Sequence, residues 1–397
     1  MDTTETTSVF FEFFTSRGHR LLPGSTLLPP PGDPVLFTSA GMHPLTPYLA
    51  GGQPHPLGRR LTGIQRCLRT TDLEEVGDTS HLTVFQMLGS WSLGDYGGAQ
   101  SLRWGLELLC DHFGLKPEVL YATAFGGDDR VGPDTAALET WTELGLPVEL
   151  LGPEDNWWSN GPTGPCGPDS EIFAWTGDGP PSGTPGTDPR WVEVWNHVTM
   201  RYERHPDGSL SPLPQPSVDT GMGLERLLMV CQGAGSVFET DLFAPWVSAL
   251  SGLWEPDTRS MRLLADHLRS SIVVIGDGVL PSNTGRGYVL RRLLRRSLTA
   301  LRRGGDGSLS LAQLPGELVS DTAGRFGLEV EPSTVREVLV SEERKFGELL
   351  RRGRSLLARL YPSGQLSEDD YEFLFSTHGL PRDVVTELAL APDQGDE

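Results

Sequence analysis

The sequence predicts an α+β fold: a sheet-containing first segment followed by a helical one. Three observations carry that expectation. The stretch 191–202 (WVEVWNHVTMRY) puts Val192, Val194, Asn196, Val198 and Met200 on one face at period two, the mark of a strand. From about residue 246 the apolar spacing becomes helical, as in MRLLADHLRSSIVVIGDG and GYVLRRLLRRSLTALRR. Strands and helices do not alternate as βαβ units, so the sheet is expected to be antiparallel.

The first element in the chain is a helix holding Val9, Phe10, Phe11, Phe13 and Phe14, ending near Gly18. Residues 176–189 (TGDGPPSGTPGTDP) read as a loop by their glycine and proline content. The boundary between the two segments falls near 244–253. It divides the chain into 1–245 and 246–397, and the last residues, Ala391–Glu397, are expected to fray.

Composition narrows the function classes. The 397 residues contain 37% hydrophobic and 8% aromatic side chains, ordinary for a soluble enzyme. No apolar run reaches the ~18–20 residues that span a bilayer, and the polar stretch Met1–Thr7 is no signal peptide, so a cytoplasmic location is expected. Cys67, Cys110, Cys166 and Cys231 form no CxxC pair, which speaks for buried thiols over a zinc site. The net charge of −21 argues against non-specific nucleic-acid binding but leaves room for a local basic patch. Lys116 and Lys345 are the only lysines, so phosphate chemistry here must run on arginine.

Several segments carry chemistry. In 217–226 (SVDTGMGLER), Gly221 and Gly223 let the backbone approach a ligand, and Arg226 can hold a phosphate. Taken alone, Gly-Met-Gly is simply a turn. It stands, however, in an ordered series with FTSAGMHPL (37–45), QRCLR (65–69), FQMLGSWSLGDY (85–96), DNWWSNGPTGPCGPDSEIF (155–173), EVWNHVTM (193–200) and ADHLRSSIVVIGDGVLPSNTGRGYVLRR (265–292). Together these resemble the successive signatures of the alanyl-tRNA synthetases.

The resemblance implies a class II synthetase core, an antiparallel sheet with flanking helices in 1–245, and a helical tRNA-recognition-like domain in 246–397. The family's editing domain and C-terminal dimerisation region are expected to be absent, since the sequence stops at 397. The implied substrates are L-alanine and ATP with Mg²⁺, and the product is alanyl-AMP. Arg69 matches the motif-2 arginine on the α-phosphate and the amino-acid carboxylate, and Arg226 the motif-3 arginine on the γ-phosphate. Phe85 and Met87 match the adenine-packing residues, with Gly223 beside the nucleotide. Asp219 matches the partner of the alanine ammonium. Met42, Trp158, Asn196, Val198 and Gly221 complete the alanine pocket. Glu171 and Glu193 are the candidate Mg²⁺ ligands.

Departures from the family pattern bear on the acceptor. The loop after Arg69 runs directly into Thr70, Thr71, Asp72 and Leu73, without the family's lysine-bearing insertion. Gln86 stands where the family has a glutamate, an expected loss of charge near ATP. Of the pair that reads a G·U base pair, Asn283 is present, while Ser376 replaces the aspartate. A basic helix carrying Arg286, Arg291, Arg292, Arg295, Arg296, Arg302 and Arg303 suits phosphate contacts. The expectation leans to an alanyl transfer onto a small molecule of specialised metabolism. The alternatives are a truncated synthetase that charges tRNA without editing, and a non-catalytic regulatory paralogue.

Overall fold

The computed structural model describes residues 1–397 except 31–34, 50–52, 160, 304–308, 362–364 and 391–397. The expected fraying of Ala391–Glu397 lies outside the described residues.

The first helix, α1 (Thr3–Ser16), starts where the Asp2 side chain accepts from Glu5 N at 2.8 Å. It buries Phe10, Phe13 and Phe14, and the chain leaves it through Gly18 at φ +83°. Among the described residues nine strands then build one sheet: β1 (Arg20–Leu22), β2 (Arg60–Leu68), β3 (Val84–Ser92), β4 (Leu120–Phe125), β5 (Val148–Leu151), β6 (Trp157–Ser159), β7 (Gly164–Trp175), β8 (Trp191–Arg204) and β9 (Leu210–Gly223). Their order is β1-β2-β3-β9-β8-β7-β4-β5, with β6 also paired to β7. The centre is antiparallel, as expected. The edge pairs β1–β2 and β4–β5 are parallel, so the sheet is mixed. The helices α2 (Thr46–Leu49), α3 (Gly98–Glu107), α4 (Thr135–Leu144) and α5 (Leu224–Cys231) lie between or after the strands.

Residues 217–223, which read as a turn, form the end of β9 and lead straight into α5. Gly221 makes room there for Met87, and neither glycine reverses the chain.

Period-two alternation divides the sheet into two faces. Leu88, Ile172, Trp195 and Met222 point into the large core with the helices. Met87, Trp91, Val198 and Met200 point the other way, into a smaller apolar cluster with Met42 and Leu45. The functional residues lie on this second face.

The helical part comprises α6 (Ala244–Trp254), α7 (Thr258–Gly276), α8 (Gly285–Arg303), α9 (Gly316–Arg325), α10 (Pro332–Leu360), α11 (Glu368–His378) and α12 (Arg382–Leu390). No helix among the described residues is long and apolar enough to cross a membrane. Every residue of α7 from Leu264 to Ile275 is buried, so its polar side chains must find partners inside the protein. Ser271 bonds back to His267 O within the helix, while Asp266, Arg269 and Ser270 find partners on or beside the sheet. Asp266 accepts from Thr83 N at 2.8 Å and Thr83 Oγ1 at 2.6 Å. Ser270 Oγ accepts from Val84 N at 3.1 Å. Arg269 donates to Val84 O at 2.7 Å and to the buried Glu225 carboxylate of α5 at 2.5 Å. Asp277, just past the helix, accepts from Leu27 N at 2.7 Å and from Arg66 of β2 at 2.7 Å. The helical part is therefore bolted to the strands that carry the site.

This bolt makes a stability prediction. Glu225→Ala leaves the Arg269 guanidinium buried without its counter-charge and is expected to cost about 3–5 kcal/mol. The double variant Glu225→Leu/Arg269→Met removes both charges and is expected to cost clearly less. Urea unfolding of the three proteins measures this; equal losses for the single and double variants would contradict the pairing.

Candidate active site

Cross-strand register gathers the site. Trp91 of β3 pairs with Asp219 of β9, Asp219 with Val198 of β8, and Val198 with Asp169 of β7. In the next row, Gly89, Gly221, Asn196 and Glu171 stand side by side in the same way. Successive same-face positions are two residues apart, so both rows, together with Met87 and Phe85, present to one side.

Two glycines make room on that face. A Cβ on Gly89 would sit 2.3 Å from the Trp91 ring, and one on Gly221 would sit 2.7 Å from Met87 Sδ. The absent side chains let Trp91 and Met87 lie flat across the strands.

A cleft opens beside these rows. Arg69, Phe85, Met87, Glu193, Gly221, Gly223 and Arg226 line it. Arg69 follows β2 and holds its guanidinium 5.1 Å above the Phe85 ring centre, with Nε donating to Ser39 O at 3.3 Å. The remaining guanidinium edge is available for an anion. Arg226, in the first turn of α5, donates to Glu193 Oε2 at 2.9 Å. Two cations and a flat aromatic surface in one cleft suit a nucleotide: a ring for the base and guanidinium groups for phosphates.

Beyond Gly221 the surroundings turn apolar. Met42 and Val198 are buried, and the half-buried Trp158 packs against the same cluster. One charged group stands among them. Asp219 is 6% exposed, and its Oδ1 accepts from Trp91 Nε1 at 2.6 Å. Burial pushes the Asp219 carboxyl up to about 7, against the lowering effect of the Trp91 hydrogen bond. Among the described residues, Oδ2 takes no hydrogen bond and is open to a cationic partner.

On the far side of Val198 lies a group of carboxylates. Asn196 Nδ2 donates to Asp169 Oδ2 and Glu171 Oε1, both at 3.2 Å, and Asn156 Nδ2 donates to Asp169 Oδ1 at 3.0 Å. Burial, and then the neighbouring carboxylates, hold Glu171 well above the usual carboxylate range. Asp169 is raised mainly by burial, which the hydrogen bonds from Asn156 and Asn196 oppose. With its amide nitrogen committed to two acids, Asn196 can offer a ligand only its carbonyl, and that Oδ1 is buried without a partner. Among the described residues no ready-made cluster of metal ligands occurs. The chemistry still fits a hard cation carried in by phosphates: Glu171 and Glu193 offer oxygen donors whose mutual repulsion a divalent ion would relieve.

The structure thus brings together Met42, Arg69, Phe85, Met87, Trp158, Glu171, Glu193, Asn196, Val198, Asp219, Gly221, Gly223 and Arg226 around one face. Gln86 corrects an expectation. It points to the opposite face, where its amide donates to Arg325 O at 3.4 Å, so no charge is missing beside the cleft. Sequence reading passed over Trp91, although it continues the Phe85–Met87–Gly89 alternation by one more step.

The expected acceptor residues lie elsewhere. Asn283 and Ser376 are exposed and do not line the cleft. The α8 arginines are largely engaged within the protein. Arg286 donates to Leu36 O at 2.5 Å, Arg291 and Arg295 converge on the buried Glu342, and Arg292 and Arg296 both hold Glu74 from the loop after Arg69. Arg291 also donates to Asn283 Oδ1.

Comparison with known proteins places the chain in context. The family described as tRNA synthetases class II (A) matches residues 5–394. The chain is 40% identical to an alanine–tRNA ligase of Treponema pallidum, over 96% of this chain and 67% of that one. It is 41% identical to the alanine–tRNA ligase of Rubrobacter xylanophilus, over 96% of this chain and 46% of that one. It is 38% identical to that of Borrelia hermsii, over 96% of this chain and 68% of that one. It spans about two thirds of the Treponema and Borrelia relatives and about half of the Rubrobacter one.

The raised Asp219 carboxyl predicts a pH-dependent stability cost. A folded value near 7, against ~3.9 in the unfolded chain, means folding favours the protonated form, so stability falls as pH rises from about 4 to 7. Asp219→Asn is expected to melt at a higher temperature than the parent at pH 8, by an amount worth up to ~4 kcal/mol, and to lose that advantage near pH 4.5. A melting difference that does not change with pH would contradict the burial of this charge.

Proposed function

The chain belongs to the class II tRNA synthetases, in the branch of the alanine–tRNA ligases, and from that premise we propose that its cleft joins L-alanine to ATP, forming alanyl-AMP and releasing pyrophosphate. The observation that carries this reading is the row Trp91–Asp219–Val198. It sets one buried carboxylate at the end of a small apolar pocket, next to a cleft with two arginines.

In the proposed reaction an oxygen of the alanine carboxylate attacks the α-phosphorus, and pyrophosphate leaves with the electron pair of the broken P–O bond. The step needs positioning and charge neutralisation rather than a general base. Arg69 aligns the carboxylate with the α-phosphate, since its fork can bond both. Arg226 holds the γ-phosphate at the start of α5. Phe85 and Met87 carry the adenine, and Gly223 lets the nucleotide approach the backbone. Asp219 binds the alanine ammonium, and the Asn196 carbonyl oxygen is a second acceptor for it. Met42, Trp158 and Val198 enclose the methyl group over the Gly221 floor. Mg²⁺, held by Glu171 and Glu193, would neutralise phosphate charge when bound. Residues 1–245 act as the catalytic part and 246–397 as the side that receives the acceptor.

For the acceptor, the relatives support tRNA more strongly than the small molecule to which the sequence alone leans. The match to alanine–tRNA ligases runs through the helical part as well as the sheet. A second reading, transfer to a small-molecule amine, is favoured by one specific observation. Glu342 and Glu74 each hold two of the α8 arginines, which halves the charge those four would otherwise offer to phosphates.

Three assays test these statements. Pyrophosphate should exchange into ATP when alanine is supplied, and Arg69→Ala should slow that exchange by about a hundredfold or more, since losing a charge clamp on the reacting phosphate costs ~3–4 kcal/mol. No alanine-dependent exchange by the parent protein would sink the proposal. Glycine should be activated too, because a missing methyl is worth only ~1–3 kcal/mol of discrimination; rejection of glycine beyond about a thousandfold would contradict the pocket assigned here. Charging of an alanine tRNA transcript that carries a G·U pair, and not of its G·C variant, would support the tRNA reading. Failure of both transcripts, with alanyl transfer to a metabolite amine, would support the second.

A further inference from the structure

We propose that Trp91 is a positioning residue for alanine: its indole N–H fixes the Asp219 carboxylate so that Oδ2 faces the amino group of the substrate. The inference rests on the alanine-activating reading given above. The geometry that supports it is local.

Trp91 and Asp219 are register partners on adjacent strands, both buried, with Nε1 and Oδ1 2.6 Å apart. The indole has little freedom to leave. Its ring lies over Gly89, where even a Cβ would come within 2.3 Å, and it approaches the Cβ positions of Gly41 and Gly63 at 3.0 and 3.6 Å. A side chain at Gly89 or Gly41 would displace it. These small residues make a slot for one flat ring, and the slot aims its single N–H at one carboxylate oxygen.

A donor on Oδ1 has two consequences. It orients the carboxylate, leaving Oδ2 as the free acceptor. It also favours the ionised form, the one that pairs with an ammonium, against the burial that opposes it. The other groups facing Asp219 cannot supply this effect. Val198 from β8 and Met42 are apolar. Cys67 from β2 is buried, and burial raises its thiol far above neutral pH, so it brings no charge. Arg69 lines the cleft with Met87 and Gly221, and it does not figure among the causes that shift the Asp219 carboxyl, which are burial and the Trp91 hydrogen bond.

Trp91→Phe tests the proposal, since it keeps an aromatic ring in the slot and removes only the donor. In alanine-dependent exchange the KM for alanine should rise about five- to tenfold at pH 7, with kcat and the KM for ATP within about twofold of the parent. The acidic limb of kcat/KM for alanine should move upward by about one pH unit, so that the deficit shrinks by pH 8.5. A deficit of equal size at every pH, or a loss confined to kcat, would mean that Trp91 merely packs and would overturn the proposal. Thermal unfolding supplies a readout that needs no substrate. Without the donor, the Asp219 carboxylate is harder to hold ionised, so Trp91→Phe should lose roughly 2 °C more at pH 8 than at pH 5. That extra loss should vanish when Asp219→Asn is also present. A melting deficit independent of pH overturns the pairing whether or not the protein activates alanine, whereas absent exchange by a parent protein with the expected melting behaviour counts against the functional reading alone.

Discussion

The contact on which the site depends is the polar edge of α7 against the ends of β2 and β3. Asp266, Arg269 and Ser270 are buried polar groups, each costly unless paired, and Asp277 is half-buried beside them. Their partners are Thr83, Val84, Glu225 and Arg66. Arg66 lies three residues before Arg69, and Val84 immediately precedes Phe85. The loop between these strands, which carries the site's first arginine, is therefore held at both ends by a helix from the second half of the chain. Apolar packing alone would tolerate a small slide of β3 along the helix; hydrogen bonds to individual backbone groups do not.

From that anchoring the chemistry of the open face follows. Once β3 is fixed, register sets Met87, Gly89 and Trp91 against Gly223, Gly221 and Asp219, and β8 and β7 extend the rows to Asn196 and Glu171. The same face gathers carboxylates held above their ordinary range by burial, Asp169 and Glu171 also by repulsion from neighbouring carboxylates. Such a face is poor for stability and good for binding cations, whether an ammonium or the metal that accompanies phosphates. The large helical core on the opposite side of the sheet offsets the cost.

How much of this was legible depended on how local the cause was. The helix α1, the strand β8 and the helices α7 and α8 follow from apolar periodicity within each segment, and the structure contains all four. The parallel edge strands left no such trace, because parallel pairing joins segments remote in sequence. The glycines of 221 and 223 suggested a turn, yet they lie in a strand; Gly221 leaves space for Met87, a neighbour visible only in three dimensions, and Gly223 caps α5. The arginines of α8 gave the appearance of a free basic face. Their partners, Glu74 and Glu342, sit in a distant loop and in α10, and nothing in the arginine run announces them. Trp91 was within reach, since it continues a period-two series, but only the structure shows its indole N–H meeting Asp219.

The claim at the centre of this account is that one face of the sheet is shaped for an alanyl group joined to an adenylate. Its most direct test is calorimetric titration with a non-hydrolysable alanyl-sulfamoyl-adenosine, alongside the leucyl analogue and adenosine 5′-sulfamate. The account predicts that the alanyl compound binds at least about a hundredfold more tightly than either, because the leucyl side chain overfills the methyl pocket and adenosine 5′-sulfamate lacks the ammonium that pairs with Asp219. Indistinguishable affinities for the three compounds would contradict it.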